Sequence, residues 1–322
     1  MKPVTTALFH SFVAMTLFGQ GASGANAYES APAPFDITIH TGMGTDTSTL
    51  QWSIASDPSG KTGPNVLSEL TYRDVRFSVF NASAAIEFNQ GWLRGNTVFM
   101  DYRAGQATDG EVQDSDYNGN NRTQEYSRSL SAADESTMGS LEIGVGHAFH
   151  LTQHTRLMPM VAYAHHHQEM VMTDGLQTID TYNPANLGEF RGALNSSYST
   201  EWSGAWAGLN WEYASRYHRL ALGFKHYWMD YHAEADWNLR ADFAHPKSFE
   251  HWATGTGTGI DISYDYHFSD SFSLNLSWFQ QDWETGIGED KVYFADGDTG
   301  GSQLNAVTWK STGYAMGLQL LF

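Results

Sequence analysis

The last segment of the chain constrains the fold more than any other. Its large apolar residues alternate with residues that are mostly small or polar: Tyr314, Met316, Leu318, Leu320 and Phe322. A period of two places one set of side chains on each face of a β-strand. The segment therefore predicts a strand with one strongly apolar face, ending at an aromatic residue.

Similar alternation recurs along the chain and predicts about ten strands. The predicted ranges are 35–54, 67–88, 93–105, 138–151, 156–172, 201–215, 219–237, 256–268, 271–283 and 306–322. Short turns alternate with five long connections, near 55–66, 106–137, 173–200, 238–255 and 284–305. This is the pattern of a transmembrane antiparallel β-barrel, in which closure leaves no unpaired edge in lipid. We therefore predict an all-β fold, a barrel of about ten strands with five long extracellular loops.

The N-terminus predicts export. Lys2 precedes an apolar stretch, 7–17, which is followed by the small-residue sequence Gly24-Ala25-Asn26-Ala27. A charged start, a short apolar core and a small-residue cleavage site are typical of a secretory signal peptide. We expect residues 1–27 to be the signal peptide and 28–322 to be the barrel. The aromatic Phe322 resembles the ending of bacterial outer-membrane barrels, so we expect an integral outer-membrane protein.

Composition narrows the possible functions. The chain has no cysteine, which excludes thiol catalysis and cysteine-ligated metals. It has 36 acidic and only 17 basic residues, a formal net charge of −19. Such a balance opposes nucleic-acid binding and favours cationic partners, including cationic peptides.

The second long connection carries the first candidate site. Asp114 and Asp116, two residues apart, could share a proton or bracket a water molecule. The same stretch also fits the spacing of a calcium-binding loop, with Asn118, Asn120 and Glu125 as further oxygen ligands. A solvated acidic loop is the third alternative, and all three remain open at the level of the sequence.

The segment 230–238 carries the second candidate site. Its even positions are all polar: Asp230, His232, Glu234, Asp236 and Asn238. A period of two places them on one face, which we expect to line the lumen, with Tyr231 and Trp237 facing lipid. We then expect a bulge near 225–227, because apolar residues occupy the even positions upstream. Several carboxylates beside an imidazole are typical of acid–base sites, although barrel interiors are polar in any case.

Other histidines are weaker candidates. His165 and His167 share a face and could contribute to a metal site, with His166 turned outwards, but a polar lumen wall is the preferred interpretation. The fourth long connection carries further charged residues that we expect to be solvated: His245, Lys247, Glu250 and His251. We predict no metal ligand set beyond the alternative calcium loop.

Several of these segments together resemble one known family. They are Trp206-Ala207-Gly208-Leu209, the run from Phe224-Lys225 to Asp236, the motif Asp114-x-Asp116-Tyr117, and Gly317-Leu318 with Phe322. On these residues the chain resembles the omptins, ten-stranded outer-membrane endopeptidases. The resemblance implies catalytic roles for Asp114, Asp116 and Asp236, the last as the aspartate of an Asp–His dyad. It also implies lipopolysaccharide as an activator.

The same resemblance shows two departures. The dyad histidine falls on Asn238, and asparagine cannot act as a base at neutral pH. The acid that selects basic substrate side chains falls on Glu234, whereas a second such acid falls near Ser48. We assign Glu234, His232 and Asp230 as expected substrate-binding residues.

Two functional interpretations follow. The first is a divergent omptin-like endopeptidase acting on peptides with basic residues, in which His232 or a carboxylate pair replaces the missing imidazole. The second is a barrel of the same fold that binds cationic peptide, calcium or lipopolysaccharide without cleavage. Fold alone does not decide between them.

Overall fold

The structure is a computed structural model that describes residues 33–322, so the predicted signal peptide, residues 1–27, lies outside the described residues. Within that range the strands are β1 Phe35–Ile54, β2 Ser68–Phe88, β3 Asn96–Gly119, β4 Thr123–Ala132, β5 Thr137–His147, β6 Phe149–His150, β7 Thr155–Asp180, β8 Gly188–Glu189, β9 Ser196–Ala214, β10 His218–Asp236, β11 Phe249–Ser269, β12 Phe272–Thr285, β13 Gly288–Tyr293 and β14 Thr299–Leu321. The helices of these residues are short 3-10 turns, Gly91–Leu93, Asn120–Arg122 and Pro184–Asn186. None of the helices between residues 33 and 322 has the length and apolar character needed to span a membrane.

Ten long strands close into one antiparallel ring among the described residues. Their order is β1, β2, β3, β5, β7, β9, β10, β11, β12 and β14, and β14 pairs back onto β1. Closure pairs the backbone groups that an open sheet would expose at its edges. The predicted barrel of about ten strands is confirmed.

Two additional strands, β4 and β13, extend the sheet at the end of the barrel opposite the short turns. Strand β4 fills the gap between β3 and β7 beyond the end of β5. Strand β13 pairs with β11 and β14 beyond β12. The long connections predicted at 106–137 and 284–305 therefore consist largely of strand. Here both faces of each strand carry polar residues, so the sequence shows no alternation although the backbone is extended.

An apolar band surrounds the lower part of the barrel. On β14 the exposed side chains include Tyr314, Met316 and Leu318, as the terminal alternation predicted. On β10 the exposed apolar residues run from Leu222 to Trp228. An outward apolar band of this kind is the surface that a barrel presents to lipid. Tyr314 and Trp228 mark the edge of this band, and the residues between that edge and the barrel end opposite the short turns lie outside it.

Side chains fill the lumen. The rings of Trp202 on β9 and Trp283 on β12 lie 5.6 Å apart, and those of Trp283 and Trp309 lie 4.4 Å apart. Strands β9 and β12 are three positions apart in the ring, so Trp202 and Trp283 meet through the interior, whereas Trp283 and Trp309 are directly paired on the neighbouring strands β12 and β14. A cavity of about 680 Å³ lies below this aromatic layer. Its wall includes Arg156 and Arg219, both paired with Glu212 at 2.9 and 2.6 Å.

Candidate functional site

Asp114 and Asp116 lie on β3 and point into the barrel mouth. Asp114 pairs directly with Leu70 of β2, and directly paired residues share a face of the sheet. Leu70 is fully buried in the core, so both aspartates face inwards. Of the three alternatives, the solvated acidic loop does not hold, because β3 continues to Gly119.

Neighbouring side chains hold the two carboxylates. The hydroxyls of Ser68 and Ser127, on the strands either side, donate to Asp116. The indole of Trp237 donates to Asp114. Burial, and then the negative charge of Asp116, raise the pKa of Asp114 to about 8. Burial also raises the pKa of Asp116. At neutral pH the pair therefore retains a proton on Asp114 and carries less charge than two ionised carboxylates.

Arg240 is the cation of this site. It lies close enough to both Asp114 and Asp116 to lower the pKa of each carboxyl, and it also pairs with Asp242 at 2.8 Å. Arg240 and Trp237 both belong to the connection between β10 and β11. This connection, residues 237–248, thus reaches over the mouth of the barrel and brings a guanidinium near the aspartate pair.

The predicted orientation of β10 is wrong. Tyr231, Ala233 and Ala235 are buried in the core, so the odd positions face inwards. Trp237 also packs inwards, with its ring 4.7 Å from that of the buried Phe249. The predicted bulge is absent, because β10 runs in continuous register with β9 and β11. Without it, the alternation places the even positions on the outer face: Asp230, His232, Glu234 and Asp236.

Asp236 nevertheless has an imidazole partner. Nδ1 of His245 lies 2.6 Å from Oδ1 of Asp236, and both side chains are partly exposed. His245 is exposed, as expected, but it also contacts a carboxylate. A carboxylate that fixes Nδ1 leaves Nε2 of the same ring to exchange a proton. The chain thus contains an Asp–His pair, although the histidine comes from the connection and not from position 238.

Asn238, the position to which the resemblance assigned the dyad histidine, has a structural role. Its side-chain oxygen accepts from the backbone N–H of Asn195 at 3.1 Å and from the hydroxyl of Ser196 at 3.0 Å. Its amide donates to the carbonyl of Ala193 at 2.9 Å. These bonds tie the start of the connection to the chain that leads into β9.

The predicted substrate-binding residues form a separate cluster on the outer wall. The ammonium of Lys247 lies 2.6 Å from Oε1 of Glu234 and also bonds Glu250. His232 stands beside them, and Asp230 lies further down the same face. Lys247 and Glu250 are thus paired rather than solvated, contrary to the sequence-based expectation.

The calcium-loop spacing folds as an extended hairpin. Asp114 and Asn118 are four residues apart along β3, a separation of about 13 Å in an extended strand. Glu125 forms a two-bond pair with Arg128, and Asn120 accepts from the backbone N–H of Asn65 at 2.9 Å. A calcium shell needs all its oxygen ligands within about 2.5 Å of one point. The extended geometry does not favour that use.

The remaining histidine predictions also change. His166 is fully buried against the aromatic layer, with its ring 4.6 Å from that of Trp309, whereas His165 is exposed. The predicted outward orientation of His166 is therefore wrong. His251, expected to be solvated, is completely buried, and its Nδ1 lies 2.7 Å from the hydroxyl of Tyr198.

Sequence reasoning missed Arg240 and His245 as site residues. Both lie in an irregular connection where no periodicity indicates direction. The one available signal is composition, because residues 237–248 contain Arg240, His245 and Lys247 in a strongly acidic chain. Each of these three basic side chains bonds a carboxylate.

Comparison with solved structures identifies the architecture. The outer membrane protease OmpT from Escherichia coli aligns with a TM-score of 0.71 over 90% of this chain and 97% of that one, at 12% identity. Identity this low shows a shared fold alone. The translocator domain of the autotransporter NalP from Neisseria meningitidis aligns over 91% and 90%, at 10% identity and a TM-score of only 0.35. Among curated proteins, none matches the chain.

The closed ten-strand ring and its apolar band define an integral outer-membrane β-barrel with the omptin fold. A protein-family model matches residues 39–322 of the chain. The chain belongs to the family Pom, described as Protochlamydia outer membrane protein. The predicted integral outer-membrane location is confirmed.

Proposed function

We propose that the extracellular mouth of this barrel binds a cationic segment of a polypeptide, with Asp114 and Asp116 receiving the cationic side chain. The observation that carries the proposal is Arg240: bonds to Asp242 hold its guanidinium close enough to Asp116 and Asp114 for their charges to raise its pKa further. A guanidinium matches an acidic pair in charge and in hydrogen-bonding geometry. The chain's own arginine thus indicates the class of group that the pair accepts.

The charge of the pair fits a single cation. Because Asp114 keeps its proton up to a pH of about 8, the pair carries roughly one negative charge at neutral pH. One guanidinium neutralises it. An incoming arginine or lysine would take over the role of the Arg240 charge, and Arg240 would keep its two bonds to Asp242 on the exposed side of the connection.

The test uses a fluorescein-labelled pentapeptide with a central arginine and a matched peptide with citrulline, which has the shape of arginine without its charge. Hydrogen bonds to charged groups contribute about 1.5–3 kcal/mol, so the arginine peptide should bind at least about tenfold more tightly. The preference should disappear in the double variant Asp114→Asn/Asp116→Asn. It should remain in Asp134→Asn, which removes an exposed charge beyond β4. Equal affinity of the wild type for both peptides would refute the proposal.

Hydrolysis is the second candidate, favoured by the 2.6 Å contact between Asp236 and His245. In such an endopeptidase Nε2 of His245 would take a proton from a water molecule as it attacks the peptide carbonyl. The imidazole that Asn238 cannot supply would then come from nine residues beyond Asp236. The dyad lies on the outer side of β10 and the aspartate pair on the inner side, so Trp237 would have to move before one substrate touched both.

Cleavage separates the two candidates. The arginine peptide is incubated with the folded barrel, with and without lipopolysaccharide, and the products are measured by mass spectrometry. An endopeptidase should cleave it, and His245→Gln should abolish cleavage while peptide affinity stays within about twofold. Binding without any product, with lipopolysaccharide present, would leave the binding function and exclude hydrolysis of this substrate class.

A further inference from the structure

We propose that His232, Glu234 and Glu250 form a zinc site on the outer wall of the barrel, and that Lys247 is its internal competitor. The three side chains can each direct one ligand atom to a common point, with these atoms within 4.8 Å of one another. Nε2 of His232 lies 3.9 Å from Oε1 of Glu234 and 3.8 Å from Oε1 of Glu250. In a tetrahedral zinc centre, neighbouring ligand atoms stand about 3.4 Å apart. The two distances from His232 would need to shorten by about half an ångström to reach this value.

The sheet fixes the positions of the three ligands. Glu234 on β10 is directly opposite Glu250 on β11, and His232 precedes Glu234 by two residues on the same face. The ring of His232 stacks on Trp252 with centroids 5.5 Å apart and planes at 27°. The second carboxylate oxygen of Glu250 accepts from the hydroxyl of Tyr293. Contacts of this kind orient metal ligands and raise the affinity of a site.

A cation already occupies the position between the carboxylates. The ammonium of Lys247 bonds Oε1 of Glu234 and Oε1 of Glu250, the same two atoms that would bind a metal. Lys247 lies in the connection before β11, and about a third of its side chain is exposed. Its flexible stem can therefore swing into solvent when a metal enters, so that a divalent ion replaces a monovalent ammonium on two carboxylates.

The ligand set selects zinc. One imidazole with two carboxylates suits zinc, and the fourth position stays open for water. Calcium and magnesium prefer shells made entirely of oxygen. A neighbouring cleft is lined by Glu201, Asp230 and Glu289, which adds negative potential on the same outer face. The site stands beyond the exposed Trp228, above the apolar band, where ions from the medium reach it.

The test is calorimetric titration of zinc chloride into tag-free barrel in detergent, without chelating buffer. His232→Gln and Glu250→Gln should each weaken zinc binding at least about tenfold. Lys247→Met should tighten it about fivefold, since the metal no longer displaces the ammonium. His165→Gln, which alters an exposed histidine on β7, serves as the control and should leave the affinity unchanged. X-ray absorption at the zinc edge should report one nitrogen neighbour among oxygens.

The variants separate the possible results. A wild type that binds weakly and a Lys247→Met variant that binds tightly would support an occupied site with an internal competitor. The proposal is overturned if neither protein binds zinc. It is also overturned if His232→Gln and Glu250→Gln retain wild-type affinity, or if Lys247→Met binds no more tightly than the wild type.

Discussion

Asp114→Asn should stabilise the barrel and flatten the pH dependence of its stability. In the unfolded chain the carboxyl loses its proton near pH 3.8, whereas in the folded barrel it keeps the proton up to about pH 8. Between these values the folded state binds more protons, so the free energy of unfolding falls as the pH rises. The proton-linked stabilisation is complete below the unfolded pKa and is lost as the pH passes about 8.

The magnitude follows from the size of the shift. A change from 3.8 to about 8, at about 1.4 kcal/mol for each pKa unit, gives an upper bound of roughly 6 kcal/mol. Solvent screening of a half-buried carboxyl reduces this to about 3 kcal/mol. Asparagine resembles the protonated acid and still accepts a hydrogen bond from Trp237. The variant should therefore exceed the wild type by about 3 kcal/mol at pH 8 and by less than about 1 kcal/mol at pH 5.

The assay is urea unfolding in phospholipid vesicles, followed by tryptophan fluorescence at pH 5 and pH 8. Asp134→Asn, which removes an exposed carboxylate from the turn after β4, is the control and should keep the wild-type pH dependence. Parallel pH profiles for the wild type and Asp114→Asn would refute the reasoning, because the buried proton would then be absent.

Four further outcomes are expected. Trp202→Ala removes a fully buried indole from the aromatic layer in the lumen. It should lower the free energy of unfolding in urea by about 3–5 kcal/mol. A decrease below about 1 kcal/mol would contradict a packed interior. Gly204→Ala places a Cβ against the carbonyl oxygen of Trp228 on the neighbouring strand and should cost about 1–3 kcal/mol, seen as a lower melting temperature on heat-modifiability gels. Gly139→Ala, with open space at its Cβ, should melt within a few degrees of the wild type. His245→Gln should leave the affinity for the arginine peptide within about twofold of the wild type, because the dyad and the aspartate pair lie on opposite sides of Trp237. A loss of binding in this variant would show that the two groups act as one site.

The membrane-facing part of the fold was predictable from sequence because lipid imposes a simple rule. Outward side chains such as Met316 and Leu318 must be apolar while their neighbours face the interior, so the alternation is visible. Above the membrane both faces meet water or polar side chains, and the rule disappears. The extension of β3 through Asp114 to Gly119 was therefore missed, and so was β13.

The sequence identified several residues of the candidate site but not how they are oriented. The aspartate pair on β3 was identified, but the direction of β10 was wrong by one residue. A one-residue difference in parity exchanges the two faces of a strand, which moved Glu234 and His232 from the lumen to the outer wall. Arg240 and His245 reach their partners through an irregular connection, whose path depends on bonds such as those of Asn238 and not on any sequence period.

The proposed binding of a cationic side chain is tested most directly by removing the positive charge of Arg240. The dissociation constant of the labelled arginine peptide is measured by fluorescence anisotropy for the wild type, Arg240→Gln and the double variant Asp114→Asn/Asp116→Asn. Because the positive charge of Arg240 no longer opposes the incoming cation, the single variant should bind about fivefold more tightly than the wild type. The double variant should bind at least about tenfold more weakly. Equal affinity in all three proteins would contradict the proposal that the aspartate pair receives a cationic side chain.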